Sequence, residues 1–284
     1  MSGCLSERAD MGDLLNQKQI DRIRDWFATS DGVLICAGAG MGVDSGLPDF
    51  RGNQGFWQAY PALGQRRIDF TSIANPQTFV DEPRLAWGFY GHRLQLYRDT
   101  VPHHGFQLLQ HLSQRFEHGS FVFTSNVDGQ FQKAGFAAEQ VLECHGSIHQ
   151  LQCSVPCHAG IWSASAFEPQ VDAARCQLLN TWPTCPQCGA IARPNILMFG
   201  DWSWLERRTE QQQARFAAWR KRVKQPLVIE LGAGTAIPSV RMQAEVTSRR
   251  LIRINPREAQ IAHADGVSIN LAALAGMKLL MQYA

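Results

Sequence analysis

The sequence predicts an α/β protein with a doubly wound parallel sheet and a small cysteine-rich module inserted into it. Short, continuous apolar runs recur along the chain, and helical patterns lie between them. Strands that are buried on both faces have such runs, and alternation of strands with helices is typical of a parallel sheet. The module is predicted by one segment in which close cysteine pairs replace this rhythm.

The composition is that of a folded globular chain. Of the 284 residues, 45% are hydrophobic and 18% are charged, which is enough apolar material for a large core. The formal net charge of +2 and the scattered Lys and Arg residues disfavour a direct nucleic-acid partner. No stretch reaches the roughly 20 apolar residues that span a bilayer, and no signal-peptide core is evident. We therefore expect a soluble, cytoplasmic protein without a membrane partner.

Each element of the sheet domain is predicted from its apolar pattern. Helical spacing runs through residues 14–30, and a buried strand, VLICAG, follows at 33–38. Helical patterns also cover 83–98 and 106–116. Further short apolar runs predict strands, and these lie at 120–124 (SFVFT), 141–144 (VLEC), 227–231 (LVIEL) and 251–255 (LIRIN).

One segment interrupts the alternation of strands and helices. Residues 151–192 are rich in Cys, Pro, Ser and Trp and have weak periodicity. We interpret this segment as a small metal-binding module. The sheet domain is then discontinuous and comprises residues 1–150 and 193–284.

The module contains four cysteines with the spacing of a metal site. Cys153 and Cys157 form one pair, and Cys185 and Cys188 form the other. Zinc takes four thiolates in a tetrahedron, and two knuckles supply them without a large core. A site closed by four protein ligands is structural, so we predict one structural Zn²⁺ per chain. The alternative is two sets of free thiols that lie near each other by chance.

Glycines follow the first predicted strand. Gly38, Gly40 and Gly42 come directly after it, but the sixth position counted from Gly38 is Val43, so the ordinary dinucleotide fingerprint is absent. Small residues at a strand-to-helix turn let backbone N–H groups approach a pyrophosphate. They also serve packing alone, and the glycines by themselves do not decide between these two roles.

Several motifs in order carry a family resemblance. They are GAGMGVDSGLPDFRG at 38–52, TSNVD at 124–128, ECHGS at 143–147, RPNILMFGD at 193–201, GAGTAI at 232–237 and IN at 254–255, with the cysteine module between the third and the fourth. This series resembles the signature of the sirtuins, the NAD-dependent protein deacylases, over about residues 20–270. The resemblance implies a large Rossmann-like domain with a small zinc module, NAD and zinc as cofactors, and acylated lysine side chains of proteins as substrates.

The resemblance also implies roles for individual residues. In such enzymes the acyl-lysine oxygen attacks the ribose C1′ as nicotinamide leaves, and a base then takes a proton from a ribose hydroxyl. His145 corresponds to that base, and a histidine suits it because its pKa of about 6.5 leaves a neutral fraction near pH 7. Asn126 and Asp128 correspond to the nicotinamide pocket. The other NAD-binding positions are Gly38, Ala39, Gly40, Asp49, Phe50, Arg51, Ser125, Gly234, Thr235 and Asn255.

For His145 a plainer interpretation exists, namely a core histidine hydrogen-bonded to the backbone. Its position after a predicted strand and before Gly146 favours a site instead, because open α/β sheets bind ligands at the carboxyl ends of their strands.

A tyrosine and an arginine bear on the acyl group. Tyr90 and Arg93 are three residues apart on a predicted helix and share a face. The pair resembles the Y-x-x-R of sirtuins that prefer succinyl and malonyl groups, where a guanidinium can bind the distal carboxylate bidentately. The alternative is a solvated arginine with a tyrosine packed beside it. Leu197 and Phe199 correspond to the wall of the acyl-lysine tunnel.

The sequence departs from the family pattern at several polar positions. Gly42 replaces a serine, Ser125 a glutamine, Ala236 a serine and Asp201 a glutamate, and Gln130-Phe131 stands where Leu-His is frequent. These changes keep two alternatives open. One is an NAD-consuming ADP-ribosyltransferase or NAD hydrolase, and the other is a non-catalytic NAD-binding module.

Overall fold

A six-stranded parallel sheet forms the centre of the protein. The computed structural model describes residues 14–49, 52–155 and 157–284. Its strands are β1 (Gly32–Ala37), β2 (Ser120–Thr124), β3 (Val141–Glu143), β4 (Gly146–Cys153), β5 (Ile161–Ser163), β6 (Val171–Asp172), β7 (Gln177–Leu178), β8 (Ala192–Ile196), β9 (Pro226–Leu231), β10 (Leu251–Ile254) and β11 (Val267–Ile269).

The helices of the described residues cover both faces of this sheet and build a second layer beside it. They are α1 (Gln17–Thr29), α2 (Gly52–Ala59), α3 (Pro61–Gln65), α4 (Phe70–Ile73), α5 (Thr78–Asp81), α6 (Pro83–Asp99), α7 (Gly105–Ser113), α8 (Gln130–Lys133), α9 (Arg207–Arg222), α10 (Ser239–Thr247) and α11 (Ala273–Leu280). None of these helices is both long and apolar enough to cross a membrane.

The predicted α/β class is confirmed, and the five predicted strands lie within one residue of their expected bounds. The helix predicted over 106–116 ends earlier, at Ser113, and a turn brings Phe116 back into the core. The helix predicted over 14–30 begins at Gln17, because Asn16 caps it: Asn16 Oδ1 accepts the Gln19 N–H at 3.0 Å.

Alternate residues of β1 face opposite sides of the sheet. Val33, Ile35 and Ala37 belong to the core beneath α1, α7 and α11. Leu34 and Cys36 belong to the core beneath α9 and α10. Because every residue of β1 is buried, the strand is apolar throughout, and this is why its sequence shows no polar alternation.

The strand order reverses beside β1. The chain passes from β1 to β2 and β3 on one side, and it returns to β9, β10 and β11 on the other. Ala37 at the end of β1 pairs with Thr124 of β2 and with Leu231 of β9. The carboxyl ends of these strands therefore meet at a switch point, where open α/β sheets form a crevice.

The chain between β3 and α9 forms smaller sheets. Strand β4 pairs antiparallel with β5 and β8, and β6 pairs with β7. Helix α6 packs closely on the β6–β7 turn at Gly88, where an added Cβ would lie 2.1 Å from the Cys176 carbonyl oxygen. The small sheets, α6 and the short helices α2–α5 share a second core.

Candidate functional site

A cavity of about 700 Å³ opens at the switch point, within the size range of small-molecule sites. The loops that follow β1, β2, β3 and β9 line one part of it, and α6 and the loop after β8 line another. The candidate site residues that it brings together are Gly38, Ala39, Gly40, Asp49, Tyr90, Arg93, Ser125, Asn126, Asp128, His145, Leu197, Phe199 and Gly234. Phe50 and Arg51 lie outside the described residues.

The glycines after β1 interlock with the loop after β9. The Gly40 N–H donates to the Gly232 carbonyl at 3.0 Å. A Cβ on Gly38 would lie 2.6 Å from Ala233 Cα, and one on Gly40 would lie 2.7 Å from Gly232 Cα. Real Cβ atoms do not approach backbone this closely. Gly38 and Gly40 are therefore required for the contact between the two loops, and this contact forms the floor of the cavity.

Asn126 and Asp128 are held by the backbone around them. Asn126 Nδ2 donates to the Gly38 carbonyl at 3.0 Å, which ties the loop after β2 to the glycine turn. Asp128 is buried, and its Oδ1 accepts the Gln130 N–H at 2.9 Å. Burial raises the pKa of Asp128 to about 6, since an ionised carboxylate loses hydration there.

His145 lies just beyond the end of β3. The Cys144 N–H donates to the Thr124 carbonyl at 2.9 Å, and the His145 carbonyl accepts the Leu197 N–H at 3.0 Å, so the peptide before Cys144 and the peptide after His145 are both fixed. Burial lowers the pKa of His145, and a backbone hydrogen bond with Ser125 acts in the opposite direction. A lowered pKa keeps the imidazole neutral at pH 7, where it can accept a proton.

Tyr90 and Arg93 are both buried in the wall of the cavity and not on a solvated helix face. The guanidinium donates from Nε and Nη2 to the hydroxyl of Tyr97 at 3.0 and 2.8 Å. These contacts orient the guanidinium along the wall of the cavity. Rings of Phe89 and Tyr90 lie 5.2 and 5.8 Å from the guanidinium carbon, which favours a cation at this position.

Leu197 and Phe199 lie on a loop fixed by a buried ion pair. Arg193 Nη2 and Asp201 Oδ2 are 2.8 Å apart, and both side chains are fully buried. Asp201 Oδ2 also accepts the Met198 N–H at 3.3 Å, and its Oδ1 accepts the Ser203 N–H at 3.0 Å. The shorter acid at position 201 thus closes the turn that presents Leu197 and Phe199 to the cavity.

Two predicted cofactor residues are outside the cavity lining. Asn255 is fully buried, and its Nδ2 donates to the Ala233 carbonyl at 2.9 Å. Its Oδ1 accepts the N–H groups of Arg257 and Glu258 at 3.0 and 2.9 Å. Thr235 donates its hydroxyl to Glu258 Oε1 at 2.7 Å. Asn255 and Thr235 therefore order the loop that bears Gly234.

The cavity also contains residues that the sequence motifs did not single out. Tyr97 holds Arg93, and Phe70 packs edge-on against Phe199 with ring centroids 5.9 Å apart. Tyr97 is four residues after Arg93 on α6, so helical spacing alone places it on the same face. Phe70 has no such signal, because α4 reaches the cavity only through tertiary packing.

The four paired cysteines converge into one cluster. Their sulfurs lie within 4.8 Å of one another, and the Cys153–Cys188, Cys153–Cys157 and Cys157–Cys185 Sγ distances are 3.6, 3.7 and 3.6 Å. Sulfurs about 2.3 Å from a tetrahedral zinc are about 3.8 Å apart, whereas a disulfide holds them about 2.05 Å apart. The donor set thus fits a structural zinc ion, as predicted.

Comparisons with known proteins agree on one family. A family model described as Sir2 family matches residues 38–221. A protein of Aquifex aeolicus (strain VF5) named NAD-dependent protein deacylase is 26% identical over 254 residues, which is 88% of this chain and 94% of that protein. The NAD-dependent protein deacylase sirtuin-5, mitochondrial, of Canis lupus familiaris is 29% identical over 193 residues, 63% of this chain and 59% of that protein.

Solved structures share the fold. A crystal structure of a Sir2 homolog–NAD complex superposes with a TM-score of 0.70 at 24% identity, over 95% of this chain and 94% of that one. A structure described as Sir2 bound to acetylated peptide gives 0.64 at 19% identity, over 94% and 98%.

The raised pKa of Asp128 predicts a stability gain from its neutral analogue. Because the folded-state pKa is about 6 against 3.8 for the unfolded chain, the ionised form opposes folding once the pH exceeds both values. Asp128→Asn keeps an oxygen for the Gln130 N–H, so it should raise the free energy of unfolding by about 1–3 kcal/mol at about pH 8. The gain should fall to a few tenths of a kcal/mol near about pH 4, where the folded state is protonated and the unfolded chain is about half protonated. Urea titrations at the two pH values measure it, and an equal gain at both would contradict the assignment.

The cysteine cluster predicts a metal requirement. Purified protein should contain about one equivalent of zinc, and Cys188→Ser should lose it and unfold at a lower temperature, because structural zinc contributes directly to folding. Elemental analysis and thermal denaturation measure both effects. Cys144→Ser, which alters a thiol outside the cluster, is the matched control and should keep its zinc. Wild-type protein with less than about half an equivalent of any metal would refute the site.

Proposed function

The chain belongs to the Sir2 family, and from that premise we propose that it is an NAD-dependent protein lysine deacylase. The proposal is carried by one observation, which is that His145 lines the same cavity as the glycine turn after β1 and as Asn126 and Asp128. A base, a polar pocket and exposed backbone at a switch point are the parts that such an enzyme needs.

The residues of the cavity fit NAD. The turn at 38–40 presents backbone to the cavity without side-chain bulk beyond Ala39. Asn126 and Asp128 line the same cavity and offer an amide and a carboxyl group beside the glycine turn, where we assign the nicotinamide pocket. Bound NAD supplies an electrophilic ribose C1′ with nicotinamide as its leaving group.

His145 is our assignment for the general base. Its neutral ring, favoured by burial, can accept a proton from a ribose hydroxyl on a ring nitrogen. The hydrogen bond from the Leu197 N–H to the His145 carbonyl fixes the backbone of this residue at the cavity wall. Leu197 and Phe199, on the adjacent loop, would border the path of the acylated lysine. A solved relative described as Sir2 bound to acetylated peptide supports a peptide substrate.

We also propose that Tyr90 and Arg93 select acidic acyl groups such as succinyl and malonyl. A buried guanidinium in an apolar wall strongly favours an anionic partner, and Tyr97 fixes one edge of this guanidinium. A carboxylate at the end of a short acyl chain is a ligand of that charge and shape.

The cysteine cluster lies apart from the cavity lining, so we assign its zinc a structural role and residues 151–192 to the small module that it organises. Four unpaired thiols within 4.8 Å require a reducing environment to persist. This supports a cytoplasmic location.

The first test replaces the base. His145→Ala should lower the rate of deacylation by about 10²- to 10⁴-fold while NAD binding persists, because the glycine turn is untouched. The products formed from NAD and acetyl-, succinyl- or malonyl-lysine peptides are identified by mass spectrometry. O-acyl-ADP-ribose supports the proposal. ADP-ribosylated protein or free ADP-ribose would indicate a transferase or hydrolase, and unconsumed NAD a binding module.

The pH profile gives the same test a second readout. Because burial lowers the pKa of His145, activity should persist below about pH 6.5 and fall in more acidic buffer, as the ring and the Asp128 carboxylate, whose pKa is about 6, take up protons. His149→Gln, on β4 outside the cavity lining, should leave that acid limb in place. An acid limb above about pH 7 would contradict the assignment.

The second test concerns the acyl group. Arg93→Met should lower kcat/KM for succinyl-lysine peptides about 10- to 100-fold, the worth of a charge-assisted hydrogen bond, and should change deacetylation only a few-fold. Arg98→Met is the matched control, since Arg98 lies on the same helix but donates to the carbonyls of Ala164 and Phe167 at 2.7 Å. Equal losses for both acyl groups in Arg93→Met would refute acidic selectivity.

A further inference from the structure

A histidine outside the catalytic cavity contacts the cysteine cluster. His158 follows Cys157 directly, and its Nε2 lies 3.3 Å from the Sγ of Cys185. The cluster consists of four sulfurs that are mutually within 4.8 Å, and His158 is not a member of it. The imidazole therefore faces one sulfur and not the centre of the tetrahedron.

The tautomer of this ring follows from its other nitrogen. The Gly160 N–H donates to His158 Nδ1 at 2.7 Å, so Nδ1 is the acceptor. A neutral imidazole has a single N–H group, which must then be at Nε2 and point to the Cys185 sulfur. The ring also packs on Trp162, with centroids 6.0 Å apart and an interplanar angle of 31°.

Gly160 is required for this arrangement. A Cβ at position 160 would lie 2.4 Å from both Cε1 and Nδ1 of His158. A side chain there would displace the imidazole without altering any cysteine. His158 and Gly160 thus orient the Nε2–H group towards the sulfur of Cys185.

The negative charge of the cysteine cluster explains why this N–H group would be favourable. Four thiolates around a divalent cation have a net charge of −2, and donors to sulfur stabilise it. Cys157 and Cys188 are exposed to solvent and can be hydrated, whereas Cys153 and Cys185 are buried and cannot be. A buried thiolate depends on protein donors to replace water.

We propose that His158 is a positioning residue of the zinc site, which donates its Nε2–H to the Cys185 thiolate and slows metal loss. Partners of this kind behind metal ligands typically change metal affinity about 10- to 100-fold. The inference concerns the structural metal and is independent of NAD chemistry and of the acyl group.

The experiment compares three variants of the full-length, zinc-loaded chain. His158→Phe keeps a ring against Trp162 but removes the donor. His158→Gln places an amide N–H near the position of Nε2. Gly160→Ala keeps the histidine but displaces its ring. The rate of zinc transfer to a chromogenic chelator is measured at one pH, after zinc content and circular dichroism have shown that each variant is loaded and folded.

The expected order of rates distinguishes a hydrogen bond from packing. His158→Phe and Gly160→Ala should release zinc about tenfold faster or more than wild type, and His158→Gln should stay close to wild type. A wild-type rate in His158→Phe would overturn the proposal. Equal acceleration in His158→Gln and His158→Phe would also overturn it, because shape alone would then explain the effect. If His158→Phe fails to fold, the comparison of Gly160→Ala with His158→Gln decides in the same way.

Discussion

The close contact between two backbone turns at the switch point is the constraint on which the site depends. The turn after β1 and the turn after β9 approach until no Cβ fits between Gly38 and Ala233 or between Gly40 and Gly232. Asn126 from the turn after β2 is tied to the same place through the Gly38 carbonyl, and Asn255 fixes the β9 turn from beneath. The backbones that follow β1, β2, β9 and β10 therefore converge, and this convergence brings the side chains of the site together.

This scaffold disfavours the charged forms of two ionisable groups. Burial raises the pKa of Asp128 and lowers that of His145, so each charged form is disfavoured for the same reason. Sites of catalysis are where such shifts are expected. For His145 the result is a neutral imidazole at ordinary pH. For Asp128 it is an anion that needs a hydrogen-bonding ligand, such as an amide, to replace its lost hydration.

The sequence predicts the central sheet well because every residue of β1 and β9 is buried, and such strands have an unmistakable apolar run. Strand β11 is missed because three residues, one of them the partly exposed Ser268, give no pattern. Motifs predict the residues on the cavity floor. They do not predict Phe70, which reaches the site only through packing. Nor do they predict the role of Asn255, whose motif suggests ligand contact but whose amide is hydrogen-bonded to the turn after β9 and to its own loop. Local patterns cannot show what a side chain meets from elsewhere in the chain.

Two of the departures from the family pattern, Gln130 and Phe131, are explained by the contacts that these side chains make. Gln130, at a position where leucine is frequent, is buried and donates from Nε2 to the Tyr97 carbonyl at 2.9 Å. Phe131, where histidine is frequent, packs edge-on between Phe106 and Phe136 in the core. The first change steadies the residue whose hydroxyl holds Arg93, and the second exchanges a polar group for apolar contact. Only the change at Gln130 contacts the residue behind the guanidinium, since Phe131 belongs to the core under the central sheet. At these two positions the departure from the family pattern is therefore explained by contacts with the surrounding protein.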